Sequence, residues 1–154
     1  MRRKEMNHEE KALTYFSNNF NCSQAVFAAF APDFGIDEDL ALKLATELGS
    51  GARCGQLCGA VSGALMVLGL KYGNCNSDDK EGIKKAYNVA VEFNSRFCKR
   101  NKSVVCKELL GYDVSIPEHK KEIREKNLFT SICPKMVADA TEIVEQLLTE
   151  TDNQ

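Results

Sequence analysis

The sequence lacks an excess of charge of either sign: 20 Lys and Arg stand against 22 Asp and Glu in 154 residues. That balance removes the electrostatic case for nucleic acid or an anionic membrane as a partner. Long hydrophobic runs are also missing. The most apolar stretch, Ala60 to Leu70, is well short of the roughly 20 residues needed to cross a bilayer. No apolar segment follows Met1-Arg-Arg-Lys to make a secretory signal, so the expected location is cytoplasmic. Strand-like alternation, internal repeats, low-complexity tracts and linkers are absent, which predicts a single domain over residues 1–154. Histidine is scarce. His8 falls in an N-terminal segment expected to be exposed, and His119 lies among Glu118, Lys120 and Lys121. Neither stands in a motif with a cysteine, which argues against a Cys-His hydrolase. A dinucleotide fingerprint, a Walker lysine loop, a His-Glu-x-x-His zinc helix and a haem attachment site are all missing.

What is present reads as helix. Asn7 or His8 starts a first helix, with Glu9 and Glu10 in a turn that favours acidic groups. Asn21 followed by Gln24 is a capping-box pattern that makes Cys22 the first residue of a second helix. Asp37 caps a third, with Leu40, Leu44 and Leu48 one turn apart. A Gly-rich loop, Gly49-Ser-Gly-Ala-Arg-Cys-Gly, leads as a hinge into the most apolar helix. There Gly55, Gly59 and Gly63 recur every fourth residue beside a second ridge, Cys54, Cys58, Ser62 and Met66. Glycine inside a helix costs about 1 kcal/mol relative to alanine. A ridge of it implies that another helix or a ligand approaches the backbone closely. Arg53 would make the entrance to this helix electropositive.

A long helix follows to about Lys99, with Ile83, Ala86, Tyr87, Ala90, Phe93, Asn94, Phe97 and Cys98 inward, and then a basic turn over residues 99–102. Ser103 caps a short helix over residues 104–110 that stops at Gly111. A charged, peripheral helix runs from Pro117 to about Lys126. The last helix begins over Thr130-Ser131-Ile132-Cys133-Pro134, with proline near its first position, packs through Val137, Ala140, Ile143 or Val144, Leu147 and Leu148, and frays over residues 149–154. The fold class is all-α: a bundle of about five to eight helices around the Gly-rich one.

Seven cysteines stand out, an odd number that rules out complete internal pairing. Clustered cysteines in a reducing compartment more often do redox or metal chemistry than form structural disulfides. Four of them, Cys22, Cys58, Cys106 and Cys133, fall in, or just before, the first turn or two of a helix. Free amides and the positive dipole end favour a thiolate there, so lowered pKa values are expected. Cys98 continues an apolar stripe and reads as core. Cys75 lies in a polar loop and reads as a dispensable thiol. Cys54 is open between participant and bystander.

The order Cys22 in Asn-Cys-Ser-Gln-Ala-Val, then Cys58-Gly59-Ala60-Val61-Ser62-Gly63, then Cys106, then Cys133-Pro134 resembles the C_GCAxxG_C_C family. These are domains of about this length, described as redox-active on the strength of four cysteines. The resemblance covers roughly residues 8 to 148. It implies that Cys22, Cys58, Cys106 and Cys133 are the signature set, and that Cys54, Cys75 and Cys98 lie outside it. It names no substrate or reaction.

Three functions follow. The first is thiol/disulfide electron transfer, with Cys22 and Cys58 the preferred pair and Cys106 and Cys133 a second or resolving set, serving a redox partner or small molecule. The second is a metal protein in which the same four cysteines hold zinc or an iron–sulfur cluster. The third is a helical ligand-binding or interaction domain whose cysteines only pack. Gly59 and Gly63 are expected to face a neighbouring helix or a bound group, with Cys58 bordering the pocket. No cofactor is specified, and an oligomer is left open.

Overall fold

A computed structural model describes residues 4–152, with side chains to Glu150. The described chain forms eight α-helices and one four-residue turn of helix, with no strand. They are α1 (His8–Ser17), α2 (Cys22–Phe30), α3 (Glu38–Ala45), α4 (Gly59–Tyr72), α5 (Lys80–Asn101), α6 (Cys106–Leu110), α7 (Pro117–Glu125), the short turn α8 (Leu128–Ser131) and α9 (Cys133–Asp152). The all-α expectation holds. Among the described residues no helix is long and apolar enough to cross a membrane.

Local chemistry explains where the helices start. Asn7 and Asn21 each complete a capping box, with Glu10 and Gln24 as third helical residues. Asn21 Oδ1 accepts from the Gln24 amide at 2.9 Å, and Gln24 Oε1 accepts from the Asn21 amide at 3.0 Å. The two side chains then reach α3 and the turn after it. Asn21 Nδ2 donates to the Thr46 carbonyl at 2.9 Å, and Gln24 Nε2 donates to the Leu42 carbonyl at 3.0 Å. The cap thus also orients the neighbouring helix, and with it the chain entering the glycine loop.

The core is built on α2 and α4. Helix α2 is buried nearly all round, from Ser23 to Phe30 except at Gln24. Helix α4 packs on it through Gly63, where a Cβ would sit 2.7 Å from the Ser23 carbonyl oxygen, so a side chain there would separate the two helices. Helices α5 and α9 enclose the rest, with Phe93, Phe97, Ile143 and Val144 fully buried. Each large apolar side chain removed from water stabilises the fold by roughly 1.5–3 kcal/mol.

Several packing details differ from the sequence reading. Helix α3 buries Ala41 and Ala45, while Leu40 and Leu44 are about half exposed, because small residues let α3 lie close to α2. On α5, Val89 points inward and Tyr87 outward, at 68% exposure. Residues 99–101 continue α5, and Lys102 ends it in a left-handed conformation. Ser103 accepts from the Val105 amide and helix begins only at Cys106. His8 is not free: its ring stacks on Phe30, and its nitrogens meet Glu145 and Asp33. Helix α7 is not merely peripheral, since Ile123 is fully buried. At the C-terminus, Glu150 is helical and takes a bidentate contact from Arg96, so the expected fraying does not reach it. The fraying expected at residues 153–154 and at the first three residues lies outside the described residues.

Candidate functional site

The approach to α4 is not a helix. Ser50, Gly51, Ala52 and Arg53 all have left-handed backbones, with φ of 54°, 63°, 56° and 62°. Each of the three non-glycine residues costs roughly 1 kcal/mol or more in this conformation. Gly51 is required twice over: its φ is positive, and a Cβ there would run into the Gln56 backbone and the Cys106 side chain. The turn closes by a 3.0 Å bond from the Gln56 amide to the Gly51 carbonyl. Cys54 is exposed on this turn, and Gly55 has a φ of 72°. Both therefore leave the ridges predicted for them, and the glycine ridge reduces to Gly59 and Gly63.

Past the turn, Leu57 makes an isolated antiparallel bridge with Val105. The Cys58 amide donates to the Val104 carbonyl at 2.7 Å, and the Cys106 amide to the Gln56 carbonyl at 2.6 Å. Side chains alternate across such a pairing, so Cys58 and Cys106 share the face opposite Leu57 and Val105. Their burial fits: Cys58 and Cys106 are 6% and 7% exposed, and Leu57 is 37%. This clip brings together two cysteines 48 residues apart (106 − 58).

The four signature cysteines occupy equivalent places on four helices. Cys22, Cys106 and Cys133 are the first residues of α2, α6 and α9, and Cys58 is the N-cap of α4. All four line one pocket of about 290 Å³. Gly59 makes room for one of them, since a Cβ there would collide with the Cys22 sulfur. Phe16, Leu109, Phe129, Ile132 and Met136 form an apolar wall. Arg53, Lys120 and Arg124 line the same cavity, and among the described residues no acidic side chain does. Cys54, Cys75 and Cys98 are not in the lining.

For Cys58, Cys106 and Cys133 the shift runs opposite to the expected lowering. Burial pushes Cys58 up to about 12, and the Cys22 thiol adds to the effect; the Val61 and Ala60 amides pull the other way and are outweighed. Cys106 is likewise pushed up to about 12, by burial first and then by Cys22 and Asp113, with Arg53 opposing. Cys133 is raised by burial, then by Cys22, Cys58 and Cys106. Helix-start amides favour a thiolate, but removing sulfur from water disfavours it more, and each further thiolate would repel the others. The same interactions join every pair of the four thiols electrostatically.

Four thiols are the donor complement of all-thiolate zinc and iron–sulfur sites. Among the described residues no three His, Cys, Asp or Glu side chains are grouped to hold a metal ion.

The sequence reading missed Lys120 and Arg124. They are one turn apart on α7, and neither has an acidic residue three or four positions away in either direction. Lys121 and Lys126 do, and they pair with Glu125 and Glu122. That asymmetry was the available signal.

No curated protein and no solved structure matches the chain. A family model described as "Putative redox-active protein (C_GCAxxG_C_C)" matches residues 20–147, a span that holds all four pocket cysteines and both helix-facing glycines. The chain belongs to the C_GCAxxG_C_C family.

Proposed function

We propose that the pocket performs thiol–disulfide exchange, with Cys22 and Cys58 as the working pair. The observation that carries this reading is the place of Cys22: its sulfur fills the space left by Gly59, at the start of the helix that Cys58 caps. Cys22 is half-buried and Cys58 is buried, which favours Cys22 as the attacking group. Cys22 loses its proton and attacks one sulfur of a disulfide. The old S–S bond breaks, and the departing sulfur takes up a proton as a thiol. Cys58 then loses its proton and attacks the Cys22 sulfur of the mixed disulfide. The second product thiol leaves protonated, and a Cys22–Cys58 disulfide remains. Two electrons and two protons pass from the protein to the substrate. An external dithiol reverses the sequence and restores the reduced pair. Cys106 and Cys133 face the same cavity and serve as a second or resolving set.

Counting free thiols tests this. The protein is equilibrated in thiol–disulfide buffers from about −150 to −300 mV, the range spanned by common protein dithiols. The count should fall by two at the oxidising end and recover at the reducing end, and the Cys22→Ser variant should lose that step. A constant thiol count across the range would refute the proposal. An all-thiolate metal or iron–sulfur site would use the same four sulfurs, which would have to move closer and deprotonate. Visible absorption and metal analysis after anaerobic purification separate the two readings.

A further inference from the structure

The three cations in the pocket have no part in the exchange just described. Lys120 and Arg124 sit at i and i+4 on α7, where like charges repel. Both line the cavity. Among the described residues neither has an ion-pair partner, although Lys121 and Lys126 on the same helix each have one. Arg53 enters the lining from the strained left-handed turn, where its Nη1 donates to Ser50 Oγ at 3.2 Å. Asp113, whose charge acts on the Cys106 thiol, accepts from the Ser115 amide at 2.9 Å and from the Ser115 hydroxyl at 2.6 Å. It does not line the cavity. Three basic groups from two separate elements thus converge on four thiols with no counter-charge in the lining.

We propose that the substrate is a small-molecule disulfide bearing carboxylates, which Arg53, Lys120 and Arg124 hold against the thiols. This rests on the exchange reading above and adds the substrate class to it. Size favours a small molecule over a protein disulfide. A cavity of about 290 Å³ lies at the small end of ligand sites, which run from about 300 to 1,000 Å³. The chemistry of the lining matches the two ends of such a molecule: apolar side chains for the carbon–sulfur body and cations for the carboxylates. A bound carboxylate also relieves the repulsion between Lys120 and Arg124, so binding draws on an interaction already present in the free protein.

Three aliphatic disulfides of similar length test it: dithiodipropionate with two carboxylates, hydroxyethyl disulfide with no charge, and cystamine with two ammonium groups. Each is reacted with the fully reduced protein, and rates are normalised to a free small thiol. The protein should prefer dithiodipropionate over cystamine by about tenfold or more, the lower end of what a charged cleft achieves. The preference should shrink with added salt. The Lys120→Gln/Arg124→Gln double variant should lose most of it, whereas Lys121→Gln/Lys126→Gln, with the same change in net charge, should retain it. If hydroxyethyl disulfide oxidises the protein but no charge preference appears, the substrate class is wrong and the exchange reading survives. If the preference is equal in the two double variants, it comes from net charge and the pocket assignment is wrong. If none of the three oxidises the protein, both proposals fail.

Discussion

Cys22 and Cys58 belong to one hydrophobic cluster and Cys106 and Cys133 to another, and the pocket opens between the two. The larger cluster is made by α1, α2, α3, α4, α5 and α9, and includes fully buried Phe30, Phe93 and Phe97. The smaller has four buried members, Cys106, Leu110, Val114 and Ile123, contributed by α6, α7 and the connector between them. Ile132 packs against both. The contrast places the two thiol pairs in different surroundings. Cys22 and Cys58 stand on α2 and α4, the packed pair at the centre of the larger cluster, whereas Cys133 opens α9 at the edge of the smaller one. Cys106 is held by a five-residue helix and the Leu57–Val105 clip, and Cys133 is flanked by the short α8 turn. Helices this short are not stable by themselves, so the smaller cluster depends on its seat over the pocket.

That comparison can be broken from the larger side. Gly63→Leu puts a side chain against the Ser23 backbone, which has no soft way to yield. It should cost about 3 kcal/mol or more and weaken the whole fold, read by urea denaturation. A near-neutral result would mean that α2 and α4 are not locked together as described. Among the described residues Ile123 is the one fully buried side chain of the smaller cluster, and Ile123→Ala should cost about 2 kcal/mol. Hydrogen exchange should accelerate over residues 104–132 while the core of α2 and α4 stays protected. Equal acceleration everywhere would show that the two clusters are one cooperative unit.

Alkaline pH probes both clusters together. Cys58 and Cys106 have pKa values near 12 in the folded protein against 9.0 as the ordinary value. A group whose pKa is raised by folding contributes its full stability below the unfolded value and loses it as pH rises through the folded one. The fold should therefore be unaffected by these thiols below about pH 9 and should weaken between about pH 9 and 12, by at most about 1.4 kcal/mol per pH unit for each thiol. Cys58→Ala should show a shallower fall; an identical slope would contradict the burial account. The smallest effect belongs to Cys75→Ser, in the exposed loop between α4 and α5. It should change stability by less than about 0.5 kcal/mol and leave thiol exchange intact, measured by melting and thiol titration.

Much of this architecture was legible in the sequence because the signals were local. Asn21 with Gln24 marked the start of α2 and therefore the place of Cys22. Pro117 marked α7, and Gly111 the end of α6. The helix-facing roles of Gly59 and Gly63 followed from the rule that a missing side chain implies a close neighbour. What failed depended on the environment or on distant contacts. Thiol pKa direction could not be read from helix position alone, because desolvation depends on everything packed around the sulfur. Leu40 and Leu44 looked like a core stripe, yet Ala41 and Ala45 allow the closer approach. The clip between residues 56–58 and 104–106 is a single bridge with no alternating pattern to betray it. Cys54 and Gly55 fell off their expected ridges because a left-handed turn is invisible to helical periodicity.

Peptide mapping shows whether Cys22 and Cys58 form a reversible redox pair, as proposed. The reduced protein is oxidised with a mild disulfide, the remaining thiols are blocked, and the non-reduced digest is read by mass spectrometry. The account predicts a linked peptide pair containing Cys22 and Cys58 that disappears on treatment with a dithiol. Linkage confined to Cys54, Cys75 or Cys98, or seven unlinked cysteines after oxidation, would contradict it.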